Sequence, residues 1–209
     1  NSNKSLVLRT QLVGSFPSME NQDFASAIAM RFRYNKGLYT VNWGGYNFDD
    51  GFRDNVNPVG FVNDDNYQTA FTWFSGEHWI NRYGLDRISF NQGNDVSWWH
   101  DGALKEVRIS GWTGLTFMQQ WILGYGFNHT IERLEKRFDN SSMLIEAAWD
   151  DRVSRLANIL HIRGSNFDRD FSRTRYRTGI KTLENLSFSV AYTRLRFSPD
   201  STGESISRL

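Results

Sequence analysis

Six basic residues stand at spacings that could do chemistry: Arg31 and Arg33, then Arg173, Arg175, Arg177 and Lys181. Within each set the intervals are even, and side chains of an extended strand alternate between two faces, so each set occupies one face of its strand. A ladder of this kind forms a cationic wall, which favours anionic solutes where it borders water-filled space. The same ladder is structural where Asp and Glu of adjacent strands pair with it. The sequence leaves both readings open.

Other constellations yield less. Asp49-Asp50-Gly51-Phe52-Arg53-Asp54-Asn55 gathers hard oxygens around a glycine, as a Ca²⁺ loop does, but its acidic positions do not alternate and no Glu closes the set. It reads as a solvated turn. The adjacent pairs Asp64-Asp65 and Asp150-Asp151 would point to opposite faces of a strand and so cannot work as a dyad. His78, His100, His129 and His161 lie far apart with no i, i+4 pair, so no zinc helix is encoded. Neither Ser75-Gly76-Glu77-His78 nor Ile109-Ser110-Gly111 resembles a nucleophile elbow. Gly111-Trp112-Thr113-Gly114 and Gly124-Tyr125-Gly126 open no helix and are not phosphate loops; a strand glycine opposite an aromatic leaves room for the ring or lets a wall bend. No catalytic residue, metal or cofactor is assigned.

The elements that must position the basic ladder are strands. Phe24, Ile28, Met30, Phe32 and Tyr34 share one face of a segment whose other face holds Ala25, Ala27, Ala29, Arg31 and Arg33. Trp121, Leu123, Tyr125 and Phe127 alternate with Gly124, Gly126 and Asn128, and Leu186, Phe188, Val190 and Tyr192 with Ser187, Ser189, Ala191 and Thr193. Weaker alternation runs through 6–16, 38–48, 67–74, 79–90, 105–112 and 156–163, giving roughly ten candidate strands, many about 9–11 residues long. Turn chemistry separates them at Asn35-Lys36-Gly37, Asn91 to Asp95, His100-Asp101-Gly102, Asp139 to Ser142 and Gly164 to Asp168. The longest connection is 49–66, and 132–137 could equally form a helical turn.

Composition bounds what such a chain does. Across 209 residues there are 24 Lys and Arg against 23 Asp and Glu, so the formal charge of +1 carries no field that would steer nucleic acid. The absence of Cys excludes thiol chemistry and disulfide frameworks. Aromatic residues are abundant, with 16 Phe, 8 Trp and 8 Tyr, but no run approaches the ~18 apolar residues of a membrane helix. The opening Asn1-Ser2-Asn3-Lys4 has no apolar leader region, so the chain is expected to be a piece of a longer precursor.

Two-faced strands suit either a soluble β-sandwich, where the apolar face is core, or an outer-membrane barrel, where it meets lipid and the polar face lines the lumen. Strands of about 9–11 residues exceed the ~5–6 usual in sandwiches and match a tilted membrane strand. Trp43, Tyr46, Trp73, Trp79, Trp98, Trp99, Trp112, Trp149 and Tyr192 lie near strand ends and turns, as an aromatic girdle at the two interfaces would. The sequence therefore predicts an all-β, antiparallel up-and-down transmembrane β-barrel, one domain over 1–209 or a segment of a larger barrel. The sandwich alternative would bind carbohydrate on exposed Trp and Tyr. A third reading is a barrel hydrolase using His78, His129 or His161.

The run Asn57-Pro58-Val59-Gly60-Phe61-Val62, preceded by Tyr46-Asn47-Phe48 and followed by Tyr67, resembles an uncharacterised family of outer-membrane β-barrel domains of Gram-negative bacteria. Asn57, Pro58, Gly60, Phe61 and Val62 carry that resemblance. In the family an Arg usually follows shortly; here Asn63, Asp64 and Asp65 do. The resemblance implies an outer-membrane location, a lipid bilayer as partner, and carbohydrate as a further partner through an N-terminal module like the family-nine carbohydrate-binding modules. It implies a non-enzymatic barrel serving glycan binding or solute uptake.

Overall fold

The computed structural model describes residues 4–15, 24–52, 65–133, 136–150, 155–183, 186–198 and 206–208. They form β1 (Lys4–Ser15), β2 (Ala25–Lys36), β3 (Tyr39–Phe48), β4 (Tyr67–Arg82), β5 (Leu85–Trp99), β6 (Leu104–Phe117), β7 (Trp121–Arg133), β8 (Arg137–Asp150), β9 (Arg155–Asn166), β10 (Arg169–Leu183), β11 (Leu186–Ser198) and β12 (Ile206–Arg208). Their order in the single sheet is their order in the chain. The first eleven strands run to 10–16 residues each, enough to cross a bilayer at a tilt.

The chain divides into two compact units. One comprises Asn1–Phe74, Gly93–Arg108 and Glu132–Lys136, the other Ser75–Gln92, Ile109–Ile131 and Arg137–Leu209. In both, burial runs opposite to that of a water-soluble protein. In the first unit Leu6, Leu8 and Leu12 are 66%, 54% and 71% exposed while the hydroxyls of Thr69 and Ser97 are buried and bonded to each other at 2.7 Å. In the second, Trp121, Leu123, Tyr125 and Phe127 are exposed while Gly124, Gly126, Thr116, Thr130 and Asn140 are buried. The one apolar cluster among the described residues is small: Phe52 seated on Ala25 and Ala27, with Phe48 against it.

The turns depart from expectation at four places. The expected turn Asn91–Asp95 lies inside β5, where Asn94 Nδ2 donates to Thr72 Oγ1 at 3.2 Å and Asp95 pairs with Arg108 at 3.9 Å. Flanking strands supply these polar groups with partners, so nothing forces a reversal. The expected turn Asp139–Ser142 is likewise inside β8; Asn140 Oδ1 instead accepts the backbone N–H of Phe167 at 2.8 Å, bracing the reversal between β9 and β10. The expected strand 79–90 is broken at Tyr83-Gly84, whose φ values of 54° and 77° are those of a two-residue type I′ hairpin. Met118 and Gln119, both at positive φ, form a further reversal without any Gly, Asn or Asp.

Candidate functional site

In the first unit the register places Arg9 directly opposite Arg31 and Gln11 opposite Ala29, while on the other side of β2 Gly44 faces Arg31 and Tyr46 faces Ala29. These residues therefore share the polar face. Arg9, Gln11, Ala29, Arg31 and Tyr46 line a cavity of about 930 Å³ together with Phe71 and Asp95. Arg31 carries its guanidinium 5.5 Å from the centroid of the Phe71 ring, and the Tyr46 and Phe71 rings stand 6.3 Å apart. Ion pairs among the described residues include Arg87–Glu77, Arg108 with Asp95 and Glu106, and His129–Asp139. Arg9 and Arg31 face one another across adjacent strands, and the Asp95 carboxylate of the same cavity pairs with Arg108; like-charge repulsion disfavours such opposition and an anion relieves it. Arg33 stands opposite Val7 and Asn42 and donates from Nε to Asn35 Oδ1 at 3.0 Å.

In the second unit Arg173, Arg175 and Arg177 share one face of β10. Opposite them stand Leu195, Thr193 and Ala191 on β11, and Ile162, Leu160 and Asn158 on β9. Lys181 pairs in backbone register with Ser187. On the same face of β8, Glu146 lies opposite Leu160 and accepts from Asn158 Nδ2 at 2.5 Å.

The aromatic residues expected in a girdle divide between the faces. Trp43 stacks on Phe32 at 5.4 Å, Trp149 stands 6.3 Å from Trp121 and donates from Nε1 to Gln120, and Tyr192 stacks on Tyr176 at 6.3 Å. Trp73 and Trp79 are exposed, the latter 5.4 Å from the Arg87 guanidinium, and Trp98 is half-buried. Trp99 and Tyr67 hold the Lys105 ammonium 4.1 and 3.7 Å from their ring centroids. Tyr46 and Trp112 are on the polar face: Tyr46 lines the cavity, and Trp112 lies over Gly114, Gly124 and Gly126. Asn57, Pro58, Gly60, Phe61 and Val62 lie outside the described residues.

Where the 49–66 connection leaves β3, Asp49 accepts from Ser26 N–H at 3.1 Å, Ser26 Oγ at 2.6 Å and Asn47 Nδ2 at 2.9 Å. The Ser26 hydroxyl is the main cause holding its carboxyl below the ordinary range, aided by the Ser26 amide and Asn47 against the opposing effect of burial. Its oxygens are spent on closing the turn rather than on a cation. His100 Nε2 joins the network through Asn47 Oδ1 at 2.8 Å, and His161 Nδ1 lies 2.9 Å from Thr174 Oγ1.

No family model matches the chain, and no curated protein does. Solved structures do. OccAB3 of Acinetobacter baumannii superposes with a TM-score of 0.66 at 13% identity, over 92% of this chain and 59% of that one. OccK9 (OpdG) of Pseudomonas aeruginosa superposes with a TM-score of 0.62 at 12% identity, over 95% of this chain and 55% of that one. Both are outer-membrane porin barrels, and this chain spans less than two thirds of either. At such identities the likeness is one of fold: the chain has the antiparallel up-and-down fold of a transmembrane β-barrel wall.

Proposed function

We propose that this chain is the wall of a solute-passing barrel in the outer membrane of a Gram-negative bacterium, without catalytic activity, its polar face lining the lumen. The observation that carries the reading is the inverted burial. Leu, Ile, Met, Trp and Phe crowd the exposed face while Thr, Ser, Gly and Asn fill the covered one. In water that pattern forfeits the main driving force of folding, whereas in a bilayer it satisfies it. Arg9, Arg31 and Arg33 in one unit, and Arg173, Arg175 and Arg177 in the other, then give the lumen a basic wall that favours anions. The resemblance at Asn57 to Val62 supports the further reading that the barrel is the membrane part of a cell-surface carbohydrate-handling protein.

The test is to prepare the full chain with and without detergent, compare gel mobility before and after boiling, and measure reversal potentials across planar bilayers under a KCl gradient. The expected result is a β-rich species that needs detergent, shifts on boiling and passes Cl⁻ in preference to K⁺. Removing both Arg9 and Arg31 as Gln should move the reversal potential toward zero. A soluble, cooperatively melting chain would reject the membrane reading, and an unselective pore would reject the basic wall alone.

A further inference from the structure

Within the second unit, a Cβ placed on Gly114 would strike the six-membered ring of Trp112, one on Gly124 would lie 2.9 Å from its Nε1, and one on Gly126 3.3 Å from its Cδ1. The indole thus lies along the wall in a slot that three glycines leave open. With its near side covered in this way, the exposure that Trp112 retains belongs to the side facing away from the wall. That side is an apolar π-surface.

Two planar polar groups stand beside it, and a third is carried by the next strand. The point 2.9 Å from Trp112 Nε1 is also 3.3 Å from Glu146 Oε2, so the carboxylate stands at the edge of the indole. Its other oxygen accepts from Asn158. Arg177 is the direct register partner of Asn158 on the same face. A small cation would be drawn to the indole and Glu146 but meet Arg177; a small anion would be drawn to Arg177 but meet Glu146. A neutral ring with one C–H face and a rim of hydroxyls uses all four groups: the face stacks on the indole, while carboxylate, amide and guanidinium take neighbouring hydroxyls in pairs.

We infer that Trp112, Glu146, Asn158 and Arg177 form a stacking subsite for a pyranose sugar. The inference rests on the polar face being the lumen. Its occupant differs from the anions favoured by the basic wall, and the two are separable by experiment.

The experiment is saturation-transfer NMR on the full chain folded in detergent micelles. Methyl β-D-glucopyranoside is the probe, and mannitol serves as an acyclic polyol with hydroxyls but no flat C–H face. Saturation should reach the ring C–H protons of the glucoside and not mannitol. Trp112→Leu should weaken glucoside binding about tenfold, a loss of the size expected when a ring contact disappears. Gly124→Ala, which lifts the indole without removing it, should give a smaller loss, with the boiling-dependent gel shift retained in both variants. Equal saturation of mannitol, full binding by folded Trp112→Leu, or no glucoside signal from a folded chain would each overturn the subsite. Displacement of the glucoside by choline chloride or sodium benzoate at lower concentration would do so too, since it would make the site one for ions. A chain that folds only without detergent would instead reject the lumen reading beneath it.

Discussion

In β3 the adjacent Gly44 and Gly45 answer to backbone: a Cβ on Gly44 would strike the Met30 carbonyl, and one on Gly45 would come 2.5 Å from the Thr69 carbonyl. In β6 and β7, Gly114 and Gly124 answer first to a side chain, the indole of Trp112, which also lies against Gly126 beside the Gly111 carbonyl. The two units also treat their polar-face rings differently. In the first, cations cover rings, with Arg31 over Phe71 and Lys105 between Tyr67 and Trp99. In the second, the ring is countersunk and the arginines of β10 stand across from Ala191, Thr193 and Leu195. A strand glycine therefore marks either a close approach of chains or a recess for a side chain, and only the second kind creates a surface that a ligand could use.

The comparison presumes that successive residues face different media, and the largest effect comes from breaking that presumption. Leu123 and Gly124 are neighbours on β7, one exposed and one buried. Leu123→Arg puts a guanidinium on the apolar face and should destabilise the folded chain in lipid vesicles by about 2–4 kcal/mol if the residue lies near the bilayer midplane. Ser189→Arg, on the face of Gly179 and Arg177, should change stability by less than about 1 kcal/mol, because a lumen side chain keeps its water. Equal costs at the two sites in a denaturant titration would remove the distinction between the faces.

A smaller effect separates the two kinds of glycine. Gly44→Ala must displace backbone and should cost about 2–3 kcal/mol, whereas Gly124→Ala meets the movable Trp112 and Glu146 side chains and should cost about 1 kcal/mol. In a Trp112→Ala background the Gly124→Ala cost should fall to what the Glu146 contact leaves, while a Phe71→Ala background should leave the Gly44→Ala cost in place. That non-additivity, read from a double-mutant cycle, is what the recess requires. Additive behaviour at Gly124 would mean that backbone sets that glycine too.

Much of this architecture is legible in the sequence wherever the two faces differ sharply in composition. β2, β7, β10 and β11 stand out because rings and aliphatics alternate with Ala, Gly, Ser or Arg. β8 does not, since Arg137 to Ser142 is polar on both faces apart from Phe138 and looks like a connection until Ser141 and Ser142 are seen to pair with β9. Arg9 is not legible as a partner of Arg31, because opposition across strands depends on register, which one strand's pattern does not contain. Tyr46 and Trp112 invite a girdle reading by residue type. Their phase argues otherwise: Tyr46 is in step with Asn42 and Gly44, and Trp112 with Gly114 and Thr116.

The smallest expected effect concerns the edge of the first unit, where a polar network rather than a ring anchors the chain. Asp49 closes the start of the long connection by accepting from Ser26 and Asn47, and its carboxyl is held below the ordinary value of 3.8. A carboxylate whose folded pKa is depressed contributes stability in full above its unfolded value and loses it as the pH falls through the folded one. Ser26→Ala removes the shortest of these bonds and should cost about 1 kcal/mol at pH 7. The cost should shrink as the pH falls below 3.8, where the parent chain also protonates Asp49 and loses the same bond. Unfolding followed by gel mobility at pH 7 and at acid pH reads both numbers. A Ser26→Ala cost that stayed constant with pH would mean that the hydroxyl serves the turn without acting on the Asp49 charge.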